Sequence, residues 1–254
     1  MYIVVALLFG LIVGSFLNVC IYRLPREGMS IVKPRSSCPF CKQPIKPWHN
    51  IPVLSYILLR GKCAYCKTQI SMRYPIVELM NGIIYTFCIY KFGLHEYTIL
   101  YMALASALIV VTFIDLEFMI IPDRITLAGI IIGLIASSFI LINPHKTNEL
   151  LGITGSLIGL FTGGGIFYII ALISRGGMGG GDIKMMAMVG SILGWQSVLM
   201  TMFIGSLLGT LYGLPLMIFK GKGRKTKIPF GPFLAAGTLL VMLFGKELLH
   251  VYLN

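Results

Sequence analysis

The amino-acid sequence predicts an all-α integral membrane protein of about eight transmembrane helices, with one small loop domain on a single face of the membrane. Charge is scarce: 12% of the 254 residues are charged and 57% are hydrophobic, with a mean hydropathy of +0.87. A soluble domain carries roughly 25% charged residues. The apolar residues come in long unbroken runs, and a helix needs about 20 residues to cross a hydrocarbon core. Only helices and closed barrels satisfy their backbone groups in lipid. Continuous Leu/Ile/Met-rich runs lack the alternation of a barrel strand, so helices are expected.

The runs fall at 2–22, 76–92, 98–114, 125–143, 150–174, 184–195, 197–219 and 231–252. The first has no basic n-region and no small-residue cleavage site after it, so it is expected to be a retained span. The sixth is short for a full crossing. Residues 23–75 form the only sizeable non-membrane segment, which divides the chain into a first span (1–22), a loop domain (23–75) and a helical membrane domain (76–254). No internal repeat or low-complexity tract is visible.

Eight spans place both termini on one side. One alternating set of loops then holds 18 of the 21 Lys and Arg residues: the stretch Arg23 to Arg73, Arg124, Arg175, Lys184, and Lys220 to Lys227. The opposite set keeps Lys91, Lys146 and Lys246. Basic loops remain in the cytoplasm, so both termini are expected outside, in a bacterial inner membrane. The net charge of +12 is thereby accounted for by topology and by anionic lipid. Because no groove-reading motif accompanies the charge, nucleic acid is not an expected partner.

A segment as short as 23–75 has little core of its own, and such domains rely on a metal or on disulfides. It contains Cys38-Pro-Phe-Cys41 and Cys63-Ala-Tyr-Cys66, with 21 residues between the pairs. That spacing is close to the zinc-ribbon pattern, in which each pair supplies two thiolates from one tight turn. Four thiolates close a tetrahedral shell, which marks a structural site. A cytoplasmic location disfavours disulfides. Free or redox-active thiols are the alternative. Cys20 and Cys88 lie within predicted spans and read as small hydrophobes.

Two carboxylates stand at membrane boundaries. Asp115 ends an apolar run, and Asp182 follows Gly179, Gly180 and Gly181 ahead of the next. Ionisable residues at such depth mark functional sites. Two spans separate them, so they share one face of the membrane and can meet. Two carboxyl groups in contact cannot both ionise; the charged one can activate a water and the neutral one can polarise a carbonyl. That arrangement hydrolyses a peptide bond without a metal or covalent intermediate. The glycines allow close approach of an extended substrate backbone and an unwound segment at membrane depth, tolerated where it lines a cavity; Gly179, Gly180, Gly181 and Lys184 are the candidate substrate or active-site loop. Plainer readings also exist: Asp182 as a helix N-cap, Asp115 as a solvated residue beside Glu117, and Asp123 as a helix start after Pro122. Glu78 lies about one turn inside the second span, as a buried ion pair or as a ligand group.

These residues resemble the type IV prepilin peptidases. The resemblance runs in order through Gly14-Ser-Phe-Leu-Asn-Val19 with Tyr22-Arg-Leu-Pro25, the paired C-x-x-C loop, and Ser71-Met-Arg-Tyr-Pro75 with Glu78. It continues through Phe113-Ile-Asp115 with Ile121-Pro-Asp123, Gly180-Gly-Asp-Ile-Lys184, and Ile228-Pro-Phe-Gly-Pro232. It implies that Asp115 and Asp182 are the catalytic pair. It also implies cleavage of a basic leader after its terminal glycine in prepilin or pseudopilin substrates, and N-methylation of the new terminus with S-adenosylmethionine. The cysteine-bearing loop goes with that second activity. No nucleotide-type glycine turn is visible for the methyl donor. The resemblance leaves the oligomeric state open.

Two other functions fit the carboxylates. A presenilin-like intramembrane protease is suggested by Gly179-Gly-Gly-Asp182, although the Tyr-Asp pair of that group is missing. A proton-coupled transporter would use Asp115 and Asp182 as a relay, although the inverted repeats common in transporters are missing.

Overall fold

The computed structural model describes residues 1–144, 149–174, 177–219 and 229–253. Of the residues used above for orientation, Lys146, Arg175 and Lys220 to Lys227 lie outside the described residues, as does Ile228. The described chain is helical, and its elements form two compact units, Met1–Val110 and Val111–Asn254.

The first unit contains α1 (Tyr2–Arg23), a 3-10 turn (Pro47–His49), the short α2 (Leu54–Leu58), α3 (Arg73–Phe92) and the start of α4 (Glu96–Phe118). Helix α1 is an uninterrupted apolar run that stops where Pro25 can no longer continue it. Two glycines one turn apart set its packing. A Cβ at Gly10 would lie 2.7 Å from Cα of Gly82, and one at Gly14 would lie 2.7 Å from Cα of Glu78. Lipid gives apolar helices no hydrophobic reason to pair, so close backbone approach at small residues does the work. Polar groups reinforce this contact. Asn81 Nδ2 donates to Gly10 O (2.7 Å), Ser106 Oγ donates to Asn81 Oδ1 (2.9 Å), and Tyr85 OH donates to Ser106 Oγ (3.0 Å). Asn18 Nδ2 donates to Tyr74 O (3.1 Å). The pairings 10 with 82, 14 with 78 and 18 with 74 make α1 and α3 antiparallel, so the loop between them leaves and returns at the same end.

The second unit contains the end of α4, α5 (Asp123–Ser137), α6 (Gly152–Ile173), α7 (Gly180–Phe219) and α8 (Gly231–Leu253). Helix α7 holds both the sixth and the seventh apolar runs. It breaks at Gly194, whose φ of 79° and ψ of 172° belong to a region essentially reserved for glycine. The apolar run 125–143 is helical only to Ser137; Ile142 then bridges to Leu150, because the backbone satisfies itself there by a turn. Five of the described helices are long and apolar enough to cross a membrane: α1, α4, α6, α7 and α8. Helix α3, which buries Glu78 and Asn81, and the 15-residue α5 are not among them.

Helices α6 and α7 meet most closely. A Cβ at Gly159 would lie 2.1 Å from Gly190 O, and one at Gly163 would lie 2.2 Å from Met186 O. Gly159→Val is therefore expected to cost roughly 3 kcal/mol or more through overpacking against rigid backbone. The check is thermal unfolding of detergent-purified protein, beside Gly165→Val, where the added carbon meets nothing within 4 Å.

Candidate active site and metal centre

Asp115 and Asp182 come together in the second unit. Asp115 sits in the last turn of α4 and Asp182 in the first turn of α7; both are buried. Their charges are close enough to interact. The Gly231 N–H, at the start of α8, donates to Asp115 Oδ2 at 3.1 Å. The Gly179 N–H is directed at the Asp182 carboxylate, while Asp182 Oδ1 is buried with no hydrogen-bond partner among the described residues. One carboxyl oxygen is thus left for a water or a substrate group.

The glycines of the motif divide by role. Gly180 and Gly181 are the first residues of α7 and not an unwound loop; only Gly179 precedes the helix. This corrects the expected unwound segment: the backbone at 180–181 is already closing its first helical turn, and the Asp182 N–H bonds to Gly179 O (3.1 Å). Asp182 is therefore inside the helix and is not its N-cap, in the first turn where a carboxylate is favoured by the helix dipole. A Cβ at Gly181 would lie 2.7 Å from Ile121 Cβ, whereas at Gly180 it would meet nothing within 4 Å. Gly181 is a packing requirement and Gly180 faces open space.

Lys184, grouped from the sequence with the glycines as an active-site loop residue, binds Asp123. Its Nζ lies 2.8 and 2.7 Å from the two Asp123 oxygens. Asp123 opens α5 after Pro122, as its sequence context predicts. Both side chains are about half exposed (42% and 54%), and such pairs contribute about 1 kcal/mol or less.

The sequence did not single out Gly231 as a neighbour of Asp115. Its signal was the Pro-Phe-Gly-Pro stretch, a helix start with glycine where a side chain is excluded. A Cβ there would lie 2.7 Å from Asp115 Oδ2 and 3.3 Å from Ile121 Cδ1. Gly231→Ala is expected to displace the Asp115 carboxylate and lower kcat by about 10²-fold, the effect of a misplacement near 1 Å, with KM altered much less.

Within the first unit, Cys38, Cys41, Cys63 and Cys66 present sulfurs that all lie within 4.8 Å of one another. The two pairs are built alike. Cys38 N–H donates to Gln43 O and Lys42 N–H to Cys38 O; Cys63 N–H donates to Thr68 O and Lys67 N–H to Cys63 O. Lys42 and Lys67 both take positive φ, 58° and 60°, which closes each knuckle. Cys38 Sγ and Cys66 Sγ are 3.8 Å apart, the edge of a tetrahedron with Zn–S bonds of about 2.3 Å. The Thr68 hydroxyl and then its backbone N–H bring the Cys66 thiol down to about 6. The set fits a closed, structural zinc site.

Glu78 is buried in the first unit, in α3. Its Oε2 accepts the Val53 N–H (2.8 Å). It is thus tied to the backbone of the cysteine-bearing loop.

A helical, multi-pass membrane protein with two buried carboxyl groups near one another and a four-cysteine cluster that fits a metal ion is the class that fold and site define. The chain belongs to the type IV leader peptidase family. The family model of that description matches residues 102–214, and the model of the bacterial peptidase A24 N-terminal domain matches residues 8–92. Relatives named prepilin leader peptidase/N-methyltransferase occur in Pseudomonas aeruginosa (33% identical over all of this chain and 94% of the relative) and in Legionella pneumophila (34%; 100% and 95%). One from Bacillus subtilis is 34% identical over 97% of this chain and 96% of its own length. No solved structure matches the chain. Neither the presenilin-like nor the transporter reading is favoured by these relatives.

Proposed function

We propose that this protein removes the leader from prepilin or pseudopilin substrates by aspartic hydrolysis, and then N-methylates the new terminus with S-adenosylmethionine. The observation that carries the first activity is the meeting of Asp115 and Asp182 from separate helices, buried beside the open Gly180. The pair shares one proton. The ionised aspartate takes a proton from a water as that water attacks the scissile carbonyl, and the protonated one hydrogen-bonds the carbonyl oxygen. The same proton economy in reverse delivers a proton to the departing amine. The Gly231 N–H holds the Asp115 carboxyl group in orientation, and burial excludes competing water.

The substrate class follows from the relatives' names and from site depth. A prepilin spans the membrane as a helix with its basic leader in the cytoplasm, so its scissile bond lies at the inner boundary. Asp115 and Asp182 lie at the ends of membrane helices, and the basic loops of the chain belong on the cytoplasmic side of a bacterial inner membrane with both termini outside. The acidic Glu117, two residues from Asp115, suits a basic leader. The methyl-transfer activity is read onto the loop at 23–75, with zinc holding its fold and Glu78 fastening it to α3.

The test is purified protein in lipid with a prepilin, followed by mass spectrometry with and without S-adenosylmethionine. Loss of the leader after its glycine, and gain of one methylene mass only with the methyl donor, are expected. A folded protein that leaves the prepilin uncut over prolonged incubation would overturn the reading.

A further inference from the structure

The loop between α1 and α3 carries an apolar face for which the proposed reactions have no use. In α2, Leu54, Ile57 and Leu58 are 50%, 64% and 71% exposed, and their spacing puts them on one side of the helix. Tyr56 lies on the other side and turns inward, its hydroxyl 2.9 Å from Met72 Sδ and 3.4 Å from Ile70 O. Ile51 and Trp48, just ahead of α2, are exposed as well. Arg60 and Lys62 follow it directly.

The depth of this face is set by Glu78. Helix α3 starts at Arg73, so Glu78 lies about 7.5 Å along the helix axis at ~1.5 Å per residue. Its carboxylate holds the Val53 N–H at 2.8 Å, which places the residue that precedes α2 below the first turn of α3. The backbone there is strained: Val53 has φ 60° and ψ −49°, and the Leu54 N–H bonds back to Pro52 O. That is the rare, strained form of the three-residue turn, costly for a β-branched residue and maintained only where the surroundings impose it. Because α1 and α3 are antiparallel, both ends of the loop emerge at the same membrane boundary.

We infer that the Leu54–Ile57–Leu58 face is seated in the bilayer at the headgroup–acyl boundary, with Trp48 beside it at the interface. Burying an apolar face in that layer is favourable, tryptophan prefers that depth, and Arg60 and Lys62 are placed for the phosphates of anionic lipid. The metal-bearing loop is thus held down at two points, Glu78 from within the protein and α2 through the lipid. This inference rests on the membrane-spanning fold and on neither proposed activity.

The experiment uses the full chain in nanodiscs containing phosphatidylglycerol. The sequence has two tryptophans, so Trp195→Phe leaves Trp48 as sole reporter. Leu58→Trp in a Trp48→Phe, Trp195→Phe background reports from the face itself. Each variant is used once its helical circular dichroism and elution match the wild type. Lipids brominated high on the acyl chain are expected to remove most of the fluorescence of the tryptophan at 58, and a good part of that of Trp48. Aqueous acrylamide is expected to quench the position-58 reporter far less than free indole. Quenching by acrylamide as complete as for free indole, with no response to bromolipid, would overturn the inference. Shielding from both quenchers would also overturn it, and would assign the face to a protein surface.

Discussion

Asp115→Asn and Asp182→Asn are each expected to lower leader cleavage by about 10³-fold or more, since each would remove one half of the proposed general acid–base pair. The two losses should not add: the double variant is expected to fall no further than either single one, because a lone carboxylate cannot both activate water and protonate the leaving group. Asparagine keeps the size of the side chain and can still accept the Gly231 N–H at position 115, so folding should be preserved and thermal unfolding unchanged. Lys184→Met is the informative neighbour. It breaks the half-exposed pair with Asp123 yet leaves both carboxyl groups in place, so activity should remain near the wild-type level. If cleavage survives in both aspartate variants, the carboxyl groups are structural. If Lys184→Met is as inactive as they are, the lysine belongs to the chemistry after all.

Removal of zinc is expected to have the second largest effect and to divide the two activities. The purified protein should carry about one zinc per chain, lost in a Cys63→Ser, Cys66→Ser variant. Metal binding of this kind contributes on the order of 10 kcal/mol to the folding of a small domain, and a loop of this size has little apolar core to replace it. The segment 23–75 should then become readily cleaved by added protease, and methyl transfer should fall to background. Leader cleavage should fall far less, because Asp115, Asp182 and Gly231 all belong to the second unit. Metal analysis, limited proteolysis and the two product masses check this together. Equal loss of both activities would place the loop in the peptidase reaction as well.

Much of this protein is legible without coordinates because lipid simplifies the code. A backbone that cannot bond to solvent is driven to be helical, so the apolar runs map onto α1 and α3 to α8, with the sixth and seventh together in α7 and the fourth helical only to Ser137. Thiolate spacing is equally direct: two C-x-x-C pairs bring Cys38, Cys41, Cys63 and Cys66 together through two local turns. Asp115 and Asp182 could be picked out because charge at the edge of an apolar run is costly and rare.

The misplaced features depend on contacts between distant segments. Gly180 and Gly181 look like a flexible loop in sequence, yet they are the first turn of α7, and only Ile121 against Gly181 explains the second glycine. Lys184 is next to the aspartate motif in sequence, but its direction from the helix sends it to Asp123. Gly10 and Gly14 carried a readable packing signal in their four-residue spacing, whereas which helix they would meet was not readable.

Composition, hydrophobic run length and cysteine spacing therefore determine by themselves a helical membrane protein with a four-cysteine loop suited to a metal and two conspicuous carboxyl groups, since these properties follow from each segment's own interaction with lipid, water or metal. Tertiary structure alone decided that Gly231 would hold Asp115, that Glu78 would reach Val53, and that α1 would run against α3 on its glycines. Each of these joins segments far apart in the chain through a single hydrogen bond or a missing side chain, and local sequence does not specify the partner of a backbone N–H.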